Sequence, residues 1–132
     1  MAHVLIVDDD EDIRLAMRTL LEDIAGHTVD EAADGQAALD LLRASEERYV
    51  VLLDLLMPRL DGLEVLQRVA ADERLAARHA YVLVTVSRKA ESADFAASLA
   101  LAVSVVPKPY DMDVLLATVS EASRQIQGEL TA

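Results

Sequence analysis

Five short apolar runs, each followed by a segment with a different hydrophobic period, constrain the fold of this chain more than any other feature. The runs cover residues 4–7, 28–32, 49–53, 81–85 and 103–106. Short continuous runs rich in β-branched residues are typical of strands that are buried on both faces. The sequence therefore predicts five strands, of which the second is weak and lies toward a sheet edge.

Segments with apolar residues at helical spacing follow these runs. After the first run, acidic residues 10–12 occupy a favourable first helical turn, and Gly26 lies beyond the predicted end. A weaker pattern covers residues 90–100. The predicted apolar faces consist, helix by helix, of Ile13, Met17, Leu20, Leu21 and Ile24; of Ala38, Leu41 and Leu42; of Leu63, Leu66, Val69 and Ala70; and of Met112, Leu115, Leu116, Val119 and Ile126.

Alternating strands and helices predict an α/β fold, a doubly wound parallel sheet, because each right-handed crossover places its helix on one face of the sheet. A length of 132 residues fits one domain. The net charge of -12 repels nucleic acid and anionic lipid, so we expect neither as a direct partner. The chain has no cysteine and no signal-like N-terminus, and we expect a cytoplasmic protein that does not enter the membrane.

The residues that follow four of the five strands have the chemistry of a phosphoryl-transfer site. They are Asp8 and Asp9, Asp54, Thr85 and Lys108. Ligands of parallel α/β sheets bind beyond the carboxyl ends of the strands, so these side chains are expected to converge. Three carboxylates need a cation among them, and Mg²⁺ suits a small cluster of oxygen ligands.

In this arrangement Asp54 is predicted to be the nucleophile that forms an acyl phosphate, with Lys108 and Thr85 contacting phosphoryl oxygens. Each residue alone has an ordinary structural interpretation. Acidic residues at a helix start complement the dipole, Asp54 could cap a turn, and Lys108 could be a solvated loop residue. The joint placement at four strand ends favours the site.

The motifs 4–10, 53–62, 84–85 and 108–110, in this order and spacing, closely resemble the response-regulator receiver family. The resemblance spans residue 3 to about residue 125. It implies a flavodoxin-like (βα)5 fold with strand order 2-1-3-4-5. It also implies a receiver domain over residues 1–126 and a C-terminal tail over 127–132.

The resemblance further implies the role of each site residue. Asp9 would be a direct Mg²⁺ ligand and Asp8 would act mainly through water, while Asp54 would be both ligand and phosphoacceptor. The backbone carbonyl of Leu56 would supply another metal contact. Thr85 would be the switch hydroxyl, and Lys108, followed by a cis peptide bond to Pro109, would pair with the phosphate.

The same resemblance implies partners. The phosphodonor would be a histidine kinase or a histidine phosphotransfer protein, and the downstream protein stays unknown. The chain could act alone or be part of a larger regulator or hybrid kinase. A homodimer through the last two helices and the fifth strand stays open, and autodephosphorylation would be the only other reaction.

Several positions depart from the family pattern. Leu101-Ala102 replaces the usual Gly-Ala pair, and Val105 replaces the aromatic residue that reports phosphorylation. Pro107 removes a backbone donor at the end of the fifth strand. These changes make a pseudo-receiver, an interaction module with a weakened switch, the main alternative. A haloacid-dehalogenase-type phosphatase is less favoured, because its Asp-x-Asp strand-end motif is absent.

The three histidines, His3, His27 and His79, precede strands or lie in a turn. They are expected at the edge of the sheet opposite the acidic cluster. We interpret them as solvent-exposed turn residues without a catalytic role.

Slow loss of phosphate from Asp54 is predicted from three positions. Val86 is expected to narrow access to Asp54, and Leu56, two residues beyond Asp54, cannot orient an attacking water. With Ser87 two residues after Thr85, we expect slow hydrolysis of the acyl phosphate. Decay of the phosphorylated protein after removal of the donor measures this rate, and a lifetime of seconds contradicts the prediction.

Overall fold

Five parallel strands form one sheet in the order β2-β1-β3-β4-β5. The computed structural model describes residues 2–54, 57, 61–85, 103–108 and 110–127, with the backbone alone for residues 85, 103 and 127. The predicted doubly wound, flavodoxin-like fold with strand order 2-1-3-4-5 is confirmed. The strands are β1 (His3–Val7), β2 (Thr28–Ala32), β3 (Tyr49–Asp54), β4 (Ala80–Thr85) and β5 (Val103–Pro107).

Helices cover both faces of the sheet. They are α1 (Glu11–Thr19), continued by a π-helical turn (Leu20–Ile24), α2 (Gly35–Ala44), α3 (Gly62–Ala70), α4 (Glu73–Arg78) and α5 (Met112–Gln127). The short helix α4 was not predicted from the sequence, and the predicted helix over 90–100 lies outside the described residues. Within the described chain, no helix is both long and apolar enough to span a membrane.

An aspartate precedes the first turn of each of the five described α-helices and accepts hydrogen bonds from its free backbone N–H groups. These residues are Asp10, Asp34, Asp61, Asp72 and Asp111. Such caps stabilise a helix by about 1 kcal/mol each, because the first N–H groups have no partner within the helix. Part of the large acidic excess therefore defines where helices begin.

The apolar residues of the central strands separate into two cores. Val4 and Ile6 of β1 join the core under α1 and α5, whereas Leu5 and Val7 join the core under α2, α3 and α4. All four are almost fully buried. This alternation holds β1 from both sides as far as Val7, its last residue.

Ile24 lies on the surface, contrary to the sequence prediction, with 64% of its area exposed. The reason is the π-helical turn, in which the Ala25 N–H donates to the carbonyl of Leu20 at 3.3 Å. The wider turn shifts the helical phase, so that Leu20 and Leu21 stay buried while Ile24 turns outward. Gly26, at a φ of 72°, then ends the segment in the left-handed conformation that glycine favours.

The prediction that the histidines are solvent-exposed is wrong. His79 precedes β4 and is only 3% exposed, and its Nδ1 accepts a hydrogen bond of 3.0 Å from the Tyr49 N–H. His27 Nδ1 accepts from the Ala2 N–H at 2.9 Å, and His3 Nε2 lies 2.8 Å from Asp30 Oδ2. All three histidines nevertheless lie toward the amino ends of the strands, as expected.

The buried position of His79 disfavours its charged form. Burial, followed by the charges of Arg78, Arg48 and Arg74, lowers the pKa of His79 from 6.5 to about 4. The neutral ring keeps its Nδ1 available to accept the hydrogen bond from the Tyr49 N–H.

His79→Asn is expected to flatten the acid side of the stability profile. The pKa of His79 is lower in the folded protein than in the unfolded chain. Its contribution to stability is therefore fully present at a pH above the unfolded pKa, and it is lost as the pH falls toward the folded pKa. Between about pH 7 and about pH 5, protonation of His79 lowers the free energy of unfolding of the wild type by about 2 kcal/mol. Asparagine can accept the Tyr49 hydrogen bond without titrating. Urea unfolding of both proteins at the two pH values measures the difference, and parallel pH profiles contradict it.

Candidate metal and phosphoacceptor site

The carboxyl ends of β1 and β3 bring three aspartates together. The two strands are paired in parallel with Val7 opposite Leu53, so Asp8 and Asp54 follow at the same level of the sheet. One carboxylate oxygen from each of Asp8, Asp9 and Asp54 lies within 4.8 Å of the others. The convergence predicted from the strand ends is present for these carboxylates.

Asp8 is held from several directions and is only 2% exposed. Its backbone N–H donates to the carbonyl of Ala32 in β2 at 3.2 Å, and its Oδ1 accepts from the Asp10 N–H at 2.9 Å. Asp9 is exposed, whereas Asp54 is partly exposed. Asp8 therefore forms the buried inner side of the cluster, and Asp9 forms the side that is open to solvent.

Lys108, the first residue after β5, joins this cluster. Its Nζ donates to Asp8 Oδ2 at 3.3 Å and lies 3.6 Å from Asp54 Oδ1, and its side chain is 15% exposed. Three carboxylates and one ammonium leave two negative charges in a partly buried space. This excess is unfavourable at neutral pH unless a cation is bound.

The donor set fits Mg²⁺. It contains only hard oxygen ligands, it carries an excess of two negative charges, and its exposed side leaves room for the water ligands that Mg²⁺ retains. Asp8, Asp9 and Asp54 would hold the ion. The predicted contact from the carbonyl of Leu56 lies outside the described residues.

The backbone of Thr85 lies at the same edge of the sheet. Asp54 is paired with Val84, so Thr85 follows one residue beyond the level of Asp54, and it is itself paired with Pro107. Its predicted role as the switch hydroxyl stays a prediction, because only its backbone is described.

Val105 in β5 is partly buried and packs against the core formed with α2, α3 and α4. An aliphatic side chain therefore occupies this position, as the sequence indicates. Pro107, another departure, is the last residue of β5 and is exposed. Val86, Ser87, Leu101, Ala102 and the cis bond to Pro109 lie outside the described residues.

Two features near the cluster were missed from the sequence. Arg14 donates from Nη1 to the backbone carbonyl of Asp8 at 2.7 Å. Beside the cluster, a pocket of about 410 Å³ is lined by Asp12, Ile13, Ala16, Lys108 and Tyr110. The sequence offered one signal for Arg14, namely its place in the second turn of a helix that starts beside the acidic motif. The contact of its side chain with the Asp8 carbonyl depends on tertiary structure.

Residues 4–120 match the model of the response regulator receiver domain family. The match covers most of the chain, so the chain belongs to this family of two-component signalling domains. Membership agrees with the interpretation preferred from the sequence over the phosphatase alternative.

Individual relatives agree with this assignment. The chain is 39% identical over 115 residues to the response regulator MprA of Mycolicibacterium vanbaalenii, which covers 87% of the chain and 47% of that protein. The chain thus spans about half the length of the curated relatives it matches.

Solved structures show the same fold. The chemotaxis protein CheY4 of Vibrio cholerae has a TM-score of 0.80 and 28% identity, covering 92% of this chain and 98% of that one. A CheY-like receiver domain protein of Methanospirillum hungatei has a TM-score of 0.80 and 30% identity, covering 96% and 97%.

Asp9→Asn is expected to reverse its effect on stability when Mg²⁺ is added. Without Mg²⁺, removing one carboxylate relieves repulsion and raises the free energy of unfolding by up to about 1 kcal/mol. With free Mg²⁺ at about a hundred times its dissociation constant, binding adds about 3 kcal/mol to the wild type and less to the variant.

Urea unfolding in Mg²⁺ and in NaCl of equal ionic strength measures both the relief of repulsion and the stabilisation by Mg²⁺ binding. Asp12→Asn is the matched control, since Asp12 is an exposed acidic residue of the first turn of α1 outside the cluster. A wild type that gains no stability from Mg²⁺, or an Asp12 variant with the same reversal, contradicts the prediction.

Proposed function

We propose that this receiver domain accepts a phosphoryl group on Asp54 in a Mg²⁺-dependent reaction, with a histidine kinase or a histidine phosphotransfer protein as the donor. The observation that carries the proposal is the position of Asp54 in the three-carboxylate cluster, with the Lys108 ammonium 3.6 Å from its Oδ1. Receiver domains as a family work with such donors. The particular donor and the downstream partner of the whole protein are parts of the proposal.

The transfer needs a nucleophile and positive charge around phosphorus. A carboxylate oxygen of Asp54 attacks the phosphorus, the bond from phosphorus to the donor imidazole nitrogen breaks, and its electron pair stays on that nitrogen. Mg²⁺, when bound, neutralises charge on the phosphoryl oxygens. Lys108 supplies a second positive charge close to Asp54, and Asp8 and Asp9 would hold the metal beside it.

The protein's own contribution is therefore mostly positioning. The pairing of β1 with β3 brings Asp8, Asp9 and Asp54 together before any donor arrives, which supports a transfer that needs little reorganisation. Thr85, at the level beyond Asp54, would contact the phosphoryl group through its hydroxyl and pass the change to the surface formed by β5 and α5. Because Val105 is aliphatic, burial of an aromatic ring at this position is not the way in which the signal is reported.

Only Asp54 should become phosphorylated when the protein is incubated with Mg²⁺ and a small phosphodonor such as acetyl phosphate or phosphoramidate. Intact-mass spectrometry should show the addition of one phosphoryl group to the wild type and none to Asp54→Asn. Asp40→Asn is the matched control, because Asp40 is an exposed aspartate of α2 that is not part of the cluster. It should gain the same mass as the wild type.

Other outcomes separate the alternatives. No mass gain in the wild type favours the pseudo-receiver. An equal gain in Asp54→Asn refutes the assigned phosphoacceptor. A gain that persists in excess EDTA refutes the requirement for Mg²⁺.

A further inference from the structure

The turn that carries Asp8 and Asp9 is tied to the edge strand β2 through one arginine. Arg14 in α1 donates from Nη1 to the backbone carbonyl of Asp8 at 2.7 Å and from Nε to Glu31 Oε1 at 3.0 Å. We infer that Arg14 is a positioning residue that sets the Mg²⁺ affinity of the Asp8–Asp9 turn. The inference rests on the proposed function, since it concerns the same metal site.

The carbonyl that Arg14 holds belongs to the peptide group between the two ligands. Because a peptide group is planar, fixing its oxygen fixes the backbone on both sides, where Asp8 and Asp9 begin. The other contacts of this turn hold Asp8 alone, through its N–H to Ala32 and through its side chain. Of these contacts, the Arg14 bond is the one placed to orient Asp9 as well.

Arg14 is itself held rigidly. Its side chain is only 15% exposed, and its guanidinium bridges Glu31 and the Asp8 carbonyl. Partial burial acts to raise the pKa of Glu31, but hydrogen bonds from Arg18 and Arg14 outweigh it and lower that pKa below its ordinary value. Glu31 therefore stays ionised and keeps the arginine fork oriented.

Arg18 offers a natural comparison. It also bonds Glu31, but its remaining contacts go to the carbonyl of Val29 and to Glu22 rather than to the Asp8 turn. Both arginines join α1 to β2. Only Arg14 adds the contact to the metal-binding turn, so the two variants separate an effect on the fold from an effect on the site.

Isothermal titration calorimetry with MgCl₂ on the full chain tests the inference. Arg14→Gln should weaken Mg²⁺ binding about tenfold, the lower end of the range for loss of a residue that orients metal ligands. Arg18→Gln should stay within about twofold of the wild type. Arg14→Lys, which retains one cationic donor but cannot bridge both acceptors, should recover part of the loss.

Amide hydrogen exchange in metal-free protein supplies a second measurement. The Asp10 N–H donates to Asp8 Oδ1 and reports the order of the turn. It should exchange about fivefold faster in Arg14→Gln, the factor that the loss of one ordinary hydrogen bond gives, and at the wild-type rate in Arg18→Gln.

Unchanged Mg²⁺ affinity in Arg14→Gln overturns the inference. Equal losses in Arg14→Gln and Arg18→Gln also overturn it, because they assign the effect to joining α1 with β2. If the wild type binds no Mg²⁺, the proposed function fails. The exchange rate of Asp10 then still decides whether Arg14 orders the turn.

Discussion

Mutual repulsion of three carboxylates at one edge of the sheet is the constraint on which the rest of this structure depends. Asp8, Asp9 and Asp54 approach within 4.8 Å of one another, and Lys108 compensates only part of their charge. A chain relaxes such a cluster unless its backbone is held in place. Here the backbone is held because β1 and β3 are adjacent central strands with apolar side chains buried on both faces. The hydrophobic cores thus stabilise an arrangement that is locally unfavourable and is useful for binding a cation.

Within the cluster, one carboxylate is held in place by its neighbours and another is exposed to solvent. Asp8 is buried and hydrogen-bonded. Its side chain accepts a hydrogen bond from Lys108, just after β5, and its backbone carbonyl accepts one from Arg14 of α1. Asp9 faces solvent and is open to a metal with its water ligands. The opposite edge of the sheet has different chemistry, with the neutral His79 buried beside two tyrosines and three arginines nearby. At one end of the strands three carboxylates lie close together, whereas at the other the buried ring stays neutral although arginines surround it.

Local sequence signals predicted the strands and the carboxylates at the strand ends. The order of the strands was predicted from the family resemblance. These signals are strong because a buried parallel strand needs a continuous apolar run, and the first polar residues after it must lie at the sheet edge. The failures concern features set by tertiary structure. Ile24 fits a helical face until a π turn shifts the phase, and the burial of His79 depends on strands distant in sequence. Arg14 looks like an ordinary helix residue until β2 and the Asp8 turn are placed beside it.

The π-helical turn at the end of α1 has a consequence for changes in chain length. A single π turn is equivalent to one extra residue inserted into an α-helix. It is accommodated here by an exposed Ile24 and a left-handed Gly26, at the end of the helix away from Asp8 and Asp9. The first turn of α1, capped by Asp10, keeps its register regardless. We therefore expect that insertion or deletion of one residue in the connection from α1 to β2 leaves the end of the molecule that carries Asp8 and Asp9 unchanged.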